Sequence, residues 1–400
     1  MNIRKPAAVL VGAVLVVSGR AMALDPAAVP FGPMLVYPAI GVGAKYNDNV
    51  FRLPRRELGA WAGIISPTIL GEVQRRDDVY SFLYEGEYAW YDNYSGELNY
   101  DDHLVKAMAD WKLNVKSGLK MAAQWKQDHD EPGSNDRGGV ISRLRGVDKW
   151  RAPSVSGVYH YGADGAKGRI EVGADYVWKR YYNNEEFTRF SDLDEGRLRG
   201  AFWWRIQPKT SALFEITYHD FSYLKAPTFE GVSNTQDSQQ IRYLMGLTWE
   251  ALGKTTGQAL IGYNDKRFES DLRDNASDFS WQVGVEWRPQ TYSKLSFDTG
   301  QNYIESTGVG DAINRKFVAA KWSHYWKPRF LTDLKVGYED RDYVGDPRKD
   351  NRWRAGVGAT YNMRRWLDFT AEYEYTDNQS NEPFEEYRAN VFWLNMEASL

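Results

Sequence analysis

The sequence of 400 residues contains no cysteine, which excludes disulfide bonds and a thiolate nucleophile. After the first residues it has no run of eighteen apolar residues, so it predicts no membrane-spanning helix. Aliphatic residues are scarce: hydrophobic residues make up only 42 % of the chain even with Phe, Trp and Tyr included, and the mean hydropathy is negative. The formal net charge of −4 provides no basic surface for nucleic acid, which is therefore not expected as a partner.

Aromatic residues are abundant: Phe, Trp and Tyr make up 15 % of the chain. Disordered chains lack such residues, so the chain is expected to fold. A soluble protein with this many aromatic side chains would usually carry more Leu, Ile and Val in its core. The composition is therefore unusual for a soluble domain, because it is rich in amphipathic rings and poor in aliphatic side chains.

The first residues predict transport across the inner membrane. Two basic residues precede an apolar run over residues 7–17, which is too short to span a bilayer. Ala21 and Ala23 then form an A-x-A cleavage signal. The sequence thus divides into a cleaved signal peptide, a periplasmic lead and a barrel domain, which are residues 1–23, 24–36 and 37–400.

A period of two in hydrophobicity runs through the remaining chain and predicts β-strands. In residues 279–287, for example, Phe279, Trp281 and Trp287 share one face with two valines, and the other face is polar. A soluble sandwich also alternates, but soluble strands average about five or six residues and these runs extend over about ten to thirteen. Aromatic strand ends and charged polar faces favour a transmembrane barrel, which closes because backbone groups cannot stay unpaired in lipid.

Short and long connections alternate along the chain, as do the short periplasmic turns and long extracellular loops of outer-membrane barrels. Short turns are expected near residues 74–78, 113–116, 207–210, 252–255, 288–291, 327–329 and 362–365. Longer loops are expected near residues 47–57, 93–99, 130–146, 181–194, 225–238, 270–277, 306–311, 345–350 and 379–386. The pattern predicts an all-β, antiparallel transmembrane barrel of roughly 18 strands (about 16–20), with both termini in the periplasm.

Three details qualify this pattern. Residues 60–70 and 149–159 alternate poorly, and each segment contains a proline. The loop over residues 130–146 is the best candidate to constrict the lumen. The last residues, 392–400, resemble the C-terminal strand by which the outer-membrane assembly machinery recognises barrels, although that signal usually ends in Phe or Trp and here ends in Leu400. Outer-membrane lipid and the assembly machinery are therefore expected partners.

The first barrel strand runs into the loop Asp48-Asn49-Val50-Phe51-Arg52. This Asp-Asn-x-Phe-Arg pattern resembles the β-barrel porin 2 family and, within it, the outer-membrane barrels of exopolysaccharide operons (the EpsL-like group). The resemblance implies a location in the cell outer membrane and a role in exporting a surface polysaccharide. It also implies periplasmic and inner-membrane export components as partners, and it transfers no catalytic residue.

Charged inward faces predict a water-filled lumen. Arginine clusters favour carboxylated or phosphorylated solutes, and a tryptophan face could stack on a sugar ring. The predicted anionic-sugar track consists of Arg197, Arg199, Trp203, Arg205, Arg242, Lys335, Arg352 and Arg354, and the acidic lumen residues are Glu286, Glu372 and Glu374. For each basic residue the alternative is neutralisation by a facing carboxylate across a sealed or narrow lumen.

Tryptophans at strand ends predict the aromatic girdles with which a barrel meets the two membrane interfaces. The predicted girdle residues are Trp90, Trp178, Trp204, Trp249, Trp281, Trp287 and Trp353.

Three functions are open on these residues: export of an anionic exopolysaccharide, a general or substrate-selective diffusion porin, and a barrel enzyme acting on lipid or polysaccharide. An enzyme is not expected, because the five histidines show no metal-binding spacing and no nucleophile elbow is present. His219 with Glu215 on the same face is the strongest candidate for a hydrolase pair, but no serine accompanies it. No metal or other cofactor is expected.

Overall fold

The computed structural model describes residues 28–133, 146–163, 165–229, 231–252, 254–306 and 308–400. The predicted signal peptide lies outside these residues. The strands are β1 (Val29–Phe31), β2 (Met34–Asn47), β3 (Ala60–Arg75), β4 (Asp78–Tyr91), β5 (Tyr100–Asn114), β6 (Ser117–Asp130), β7 (Asp148–Tyr161), β8 (Gly168–Tyr181), β9 (Leu193–Gln207), β10 (Thr210–Tyr223), β11 (Thr228–Phe229), β12 (Val232–Ser233), β13 (Ser238–Leu252), β14 (Thr255–Phe268), β15 (Ala276–Gln290), β16 (Ser293–Glu305), β17 (Ala312–Lys327), β18 (Phe330–Val344), β19 (Lys349–Arg364), β20 (Leu367–Ser380) and β21 (Tyr387–Ser399). Two single-turn helices, α1 (Ser95–Leu98) and α2 (Glu185–Thr188), lie in loops. No helix in the described part of the chain has the length and apolar character needed to cross a membrane.

Eighteen antiparallel strands, β2–β10 and β13–β21, form one closed barrel. Each pairs with its neighbours in sequence, and β2 also pairs with β21, so the first and last strands close the sheet. The predicted fold class and strand number are confirmed. The short β1 pairs with the beginning of β2, and β11 and β12 form a small hairpin in the loop between β10 and β13. Part of the predicted periplasmic lead is thus in β1 and the first residues of β2.

The two ends of the barrel differ as the connection lengths predict. All nine predicted loops lie at one end, here called the long-loop end, and all seven predicted turns lie at the other, the short-turn end. An eighth connection at the short-turn end joins β7 to β8 and was not predicted, because β7 contains one of the poorly alternating segments. Residues 134–145 of the candidate constricting loop lie outside the described residues.

The two prolines account for the poorly alternating segments, which are nevertheless strands. Pro67 in β3 pairs with Ile40 of β2, but the ladder from β3 to β4 skips Ser66 and Pro67. Pro153 in β7 likewise pairs with Trp125 of β6, and the ladder from β7 to β8 is interrupted beside it. Because proline has no N–H to donate, each strand keeps a continuous ladder on one side and loses it locally on the other.

One wall segment lacks backbone pairing over a longer stretch. The ladder between β15 and β16 ends at the pair Gln282 and Gly300, although both strands continue toward the long-loop end. Residues 276–281 and 301–305 still pair with β14 and β17 on their other sides. We call this unpaired stretch between residues 276–281 and 301–305 the upper seam.

A guanidinium group bonds to two backbone carbonyls where the upper seam begins, next to the last ladder pair. Arg242 reaches across from β13, and its Nη2 donates to the backbone carbonyls of Trp281 at 3.3 Å and Gln301 at 3.2 Å. Its Nε donates to Ser280 Oγ at 2.9 Å, and that hydroxyl donates to the Gln301 carbonyl at 3.0 Å. Backbone acceptors that would otherwise lie unpaired in a membrane wall are therefore satisfied by side chains.

Candidate functional site

The predicted anionic-sugar residues lie on the inward face of the wall, on four strands of which only β18 and β19 are adjacent. Arg197, Arg199, Trp203 and Arg205 are on β9, Arg242 is on β13, Lys335 is on β18, and Arg352 and Arg354 are on β19. Their surroundings differ from one strand to the next.

The arginines of β9 are paired with carboxylates of the adjacent strands. Arg199 contacts Glu171 of β8 at 2.5 Å and Glu215 of β10 at 2.7 Å. Arg197 contacts Asp175 of β8 at 2.6 Å. Arg197 and Arg199 are thus neutralised by facing carboxylates, which is the alternative that the sequence left open for each basic residue.

Trp203 also has a cationic neighbour. The guanidinium carbon of Arg169 lies 4.1 Å from the centre of its ring, and that of Arg199 lies 5.8 Å from it. A cation at this distance over an indole ring is attracted by the ring quadrupole. The indole therefore already has an arginine partner on the wall. Arg205, the remaining predicted residue of β9, lies near the short-turn end, beside Gly165.

Lys335 and two of the three predicted acidic residues, Glu286 and Glu372, form further local pairs. Lys335 Nζ lies 3.4 Å from Glu372 Oε2. Glu286 lies 2.6 Å from Arg288 and 3.6 Å from Lys294, near the short-turn end. The guanidinium of Arg242 is bonded to the backbone and to Ser280 in the upper seam.

The lumen beside the upper seam is filled by buried polar side chains. Lys266 is fully buried and donates to Ser238 Oγ at 2.9 Å and to Glu305 Oε1 at 2.5 Å. Its ammonium nitrogen lies 4.1 Å from the centre of the Phe221 ring. This side of the barrel is a packed polar interior, so open space lies elsewhere in the lumen.

An arginine cluster occupies the inward face of β17–β19, toward the long-loop end. Arg315, Arg341 and Arg354 surround Glu339, whose carboxylate lies 3.9, 2.6 and 3.9 Å from them. Arg352 sits opposite Glu339 in register and donates to Asn378 Oδ1 at 2.9 Å. Three guanidinium groups, on Arg315, Arg341 and Arg354, thus share one carboxylate, and the fourth, on Arg352, bonds to an amide oxygen instead.

Arg315 and Arg341 are both absent from the predicted track. Arg315 lies directly opposite Arg341 in the β17–β18 register. Since register depends on how two strands align rather than on the alternation within either strand, the sequence pattern did not bring the two residues together.

An open cavity of about 490 Å³ runs along the lumen beside this cluster. Toward the short-turn end its lining is acidic, and toward the long-loop end the basic residues lie together with Glu87 and Glu131. The basic lining residues are Lys45, Arg52 and Arg354, and the acidic ones nearer the short-turn end include Asp368, Glu372, Glu374 and Glu397. A second cavity of about 240 Å³ adjoins it at the long-loop end and shares Lys45, Arg52 and Glu131.

The Asp-Asn-x-Phe-Arg segment forms the anchored start of the first loop. Asn49 is fully buried, and its Nδ2 donates to the carbonyls of Leu53 at 2.9 Å and Arg388 at 2.7 Å. The backbone N–H of Asn390 donates to Asp48 Oδ1 at 2.7 Å, and Asn390 Nδ2 donates to Asp48 Oδ2 at 2.6 Å. The loop is therefore fixed to β21 across the closure of the barrel.

Phe51 holds the same loop in place by packing. Its side chain is 2 % exposed and lies in a cluster with Leu53, Ala60 and Leu98. The ring of Tyr94 meets it edge-on at 5.2 Å. The pattern on which the family resemblance rests is thus a structural anchor at the mouth of the lumen.

Arg52 completes this segment and is directed into the lumen. Its φ of +55° lies in the left-handed region, which costs a non-glycine residue about 1–2 kcal/mol. The guanidinium forms an ion pair with Glu131 of the loop after β6, and it lies 5.5 Å from the centre of the Tyr387 ring. No sequence pattern connected Arg52 with Glu131, because 79 residues separate them.

Electrostatics reinforce this pair. The guanidinium of Arg52 lowers the pKa of Glu131 to about 2, against the opposing effect of partial desolvation inside the barrel mouth. Burial alone would lower the pKa of Arg52, but Tyr387 and Glu131 raise it above its usual value. Both groups therefore remain charged at neutral pH.

A histidine and two aspartates lie close together beside the smaller cavity. His129 Nδ1 is 3.0 Å from both carboxylate oxygens of Asp102, and the ring stacks on Tyr100 at 3.9 Å. Asp128 forms an ion pair with Lys126. One ligand atom from each of Asp102, Asp128 and His129 falls within 4.8 Å of the others, so these residues are the group that could hold a cation.

The suggested pairing of His219 with Glu215 is wrong. His219 Nδ1 lies 2.8 Å from Glu195 Oε1, whereas Glu215 is held by Arg199. All are inward-facing residues of β9 and β10, and the register places Glu195 diagonally beside His219. The geometry gives a side-chain hydrogen bond between neighbouring strands.

The girdle tryptophans form two groups on the outer face of the wall. Trp90, Trp178, Trp281 and Trp353 lie toward the long-loop end, and Trp204, Trp249 and Trp287 lie toward the short-turn end. Three further exposed tryptophans at strand ends or turns, Trp61, Trp326 and Trp366, extend the two groups. Amphipathic indole rings at both borders match the two interfaces of a bilayer.

Comparison with known proteins identifies a family over nearly the whole chain. The family described as Putative beta-barrel porin 2 matches residues 22–400. None of the curated proteins matches the chain. Among solved structures, the chain is similar to the outer membrane protein OpdK of Pseudomonas aeruginosa, with 11 % identity, a TM-score of 0.49, and coverage of 91 % of this chain and 98 % of that one. It is also similar to the ferric enterobactin receptor PfeA of Pseudomonas aeruginosa, with 8 % identity, a TM-score of 0.48, and coverage of 91 % and 80 %.

Proposed function

The chain belongs to the β-barrel porin 2 family and is a porin-like channel of the outer membrane, and we propose that it takes part in exporting a negatively charged surface polysaccharide. The observation that carries the proposal is the arginine cluster, in which three guanidinium groups share Glu339 and a fourth, on Arg352, lies beside them at an open cavity. Guanidinium groups bind carboxylates and phosphates in a planar, two-pronged geometry. A wall segment with this excess of guanidinium groups attracts a polyanion in passage.

The other basic residues of the lumen do not supply this attraction equally. Arg197 and Arg199 already have carboxylate partners, and Arg242 is used by the upper seam. Among the described residues, no carboxylate lies within ion-pair distance of Arg352. Selectivity is therefore assigned to Arg352 and its neighbours on β17–β19.

Conductance in a planar bilayer tests this assignment. With a KCl gradient across the bilayer, the wild-type channel should favour anions, and acidic polysaccharide oligomers should block its current more strongly than neutral dextran of the same length. The double variant Arg352→Ala/Arg354→Ala should lose both properties. The matched control, Arg364→Ala/Arg365→Ala, removes the same charge from the exposed end of β19 and its turn, and it should behave like wild type.

Two results would contradict the proposal. One is equal block by acidic and neutral oligomers. The other is unchanged selectivity in the Arg352/Arg354 variant. In the native cell, deletion of the gene should remove the acidic polysaccharide from the surface, and export components of the periplasm and inner membrane should be needed for the same phenotype.

A substrate-selective diffusion porin is the second candidate, and the cavity dimensions favour it. Spaces of about 490 and 240 Å³ on either side of the Arg52–Glu131 pair suit a small solute. In that case, monomeric sugar acids should block the current as well as oligomers do, and deletion of the gene should leave the surface polysaccharide intact.

A further inference from the structure

Arg52 and Glu131 meet inside the mouth of the barrel, and we propose that Glu131 there occupies a subsite for the carboxylate of an acidic sugar. The inference rests on the proposed function, because it names the group by which the lumen recognises its cargo. The cationic side of the subsite is formed by Arg52 of the first loop and Lys45 of β2, with the Tyr387 ring of β21 behind the guanidinium.

The backbone of Arg52 and one side of its side chain are held by contacts other than Glu131. The backbone N–H of Arg52 donates to the Asn49 carbonyl at 3.2 Å, and Asn49 is itself fully buried and bonded to two backbone carbonyls. Tyr387 is 7 % exposed and lies beneath the Arg52 side chain. Arg52 thus occupies an anchored backbone position with left-handed φ, in which glycine or asparagine would be less strained.

A second cation faces the same space. Lys45 lines both cavities, and among the described residues no carboxylate lies within ion-pair distance of it. Glu131, in contrast, follows the end of β6 on a loop, and its side chain is 56 % exposed to the lumen. The cationic partners belong to the fixed wall and the anchored loop, and the anionic partner lies on the more accessible segment.

Space for a sugar ring adjoins the pair on both sides. Arg52 and Glu131 line both the cavity of about 490 Å³ and the cavity of about 240 Å³, so the pair lies between the two. The larger cavity falls within the range of volumes that hold small organic ligands. A hexuronate whose carboxylate replaced that of Glu131 would have its ring in one of these cavities.

The replacement is an exchange of one carboxylate for another. No covalent bond changes, and the charge at Arg52 stays balanced, because Glu131 leaves as the sugar acid enters. A tethered competitor acts at an effective concentration on the order of millimolar. A single sugar acid should therefore bind weakly to the wild-type channel, and a polymer with many carboxylates should compete better.

Binding of galacturonate to the full-length, detergent-solubilised barrel tests the subsite. Isothermal titration should show weak binding to wild type, and Glu131→Gln should bind galacturonate about tenfold more tightly because the tethered competitor is gone. Arg52→Gln should lose binding, and the double variant Arg52→Gln/Glu131→Gln should lose it too. Glucose, which has no carboxylate, should not bind to any variant.

The matched control is Glu57→Gln, which removes an exposed glutamate from the same loop as Arg52 and should bind like wild type. Resistance of each variant to unfolding by SDS without heating shows that the barrel has formed. The proposal is overturned if Glu131→Gln gains no affinity, if glucose binds as well as galacturonate, or if folded Arg52→Gln binds like wild type.

The test separates this subsite from the proposed function. Galacturonate binding depends on Arg52 and Glu131, whereas anion selectivity and polymer block depend on Arg352 and Arg354. If galacturonate binds as expected but deletion of the gene leaves the surface polysaccharide intact, export is refuted and the carboxylate subsite stands. If export is confirmed and Glu131→Gln gains no affinity, the subsite is refuted and export stands.

Discussion

Replacement of Arg242 by alanine should open the upper seam without unfolding the barrel. The substitution removes the hydrogen bonds from Nη2 to the carbonyls of Trp281 and Gln301 and the bond from Nε to Ser280. Gln301 keeps the bond from Ser280 Oγ, so the carbonyl of Trp281 loses the most.

The magnitude follows from these contacts. A hydrogen bond to a charged group contributes about 1.5–3 kcal/mol, and a buried carbonyl left without a donor costs about 1–3 kcal/mol. Release of the guanidinium to water offsets part of the loss. We therefore expect the seam to lose about 2–4 kcal/mol, which is roughly a 30- to 700-fold increase in its open population.

Hydrogen exchange followed by mass spectrometry measures this population. Amides of residues 276–281 and 301–305 should exchange faster in Arg242→Ala by this factor, and amides in the paired halves of β15 and β16 should not change. As a control, Lys294→Ala removes a half-exposed cation of β16 that pairs with Glu286, and it should change exchange by at most about fivefold. Equal acceleration along the whole of both strands, or none in the seam, would refute the role of Arg242.

Two further predictions concern the mouth and the seam. The pKa of Glu131 is lowered from 4.5 to about 2, so the Arg52–Glu131 pair is fully formed above about pH 4.5 and is lost as the pH falls through about 2. Channel conductance should therefore change between about pH 4.5 and 2 in wild type, and it should not change in Glu131→Gln. Because the chain has no cysteine, pairs of introduced cysteines can report on the distance between β15 and β16. The variant Val285→Cys/Phe297→Cys places two cysteines directly opposite each other and should form a disulfide on oxidation, which a mobility shift on SDS gels would show. The variant Phe279→Cys/Tyr303→Cys, across the upper seam, should not.

The wall of the barrel could be predicted from the sequence because it depends on alternation within each strand. The period of two in residues 279–287 gave the strand and its outward face, and the alternation of short and long connections gave the strand number. The girdle tryptophans followed for the same reason, since a strand end is visible in sequence. These features need no knowledge of which strand residues lie opposite each other.

The contacts across the lumen could not be predicted in the same way. The meeting of Arg315 with Arg341, of His219 with Glu195, and the absence of pairing in the upper seam all depend on register, which one chain does not reveal. The pair of Arg52 and Glu131 joins two loops, and loop conformation depends on tertiary packing. The family pattern pointed to the right loop, but only the structure shows that it anchors a charged side chain in the lumen.

The short β1 has a consequence for how the barrel closes. β21 pairs with β2 as far as Ala39, and β1 continues along the same edge from Val36 to Met34, so the two strands lie end to end. If β21 slid along β2 toward the short-turn end, Leu400 would run into Val29. The segment thus acts as a stop that fixes the stagger between first and last strands, and stagger together with strand number sets the diameter of a barrel. Three residues outside the wall therefore help to determine how wide the channel is.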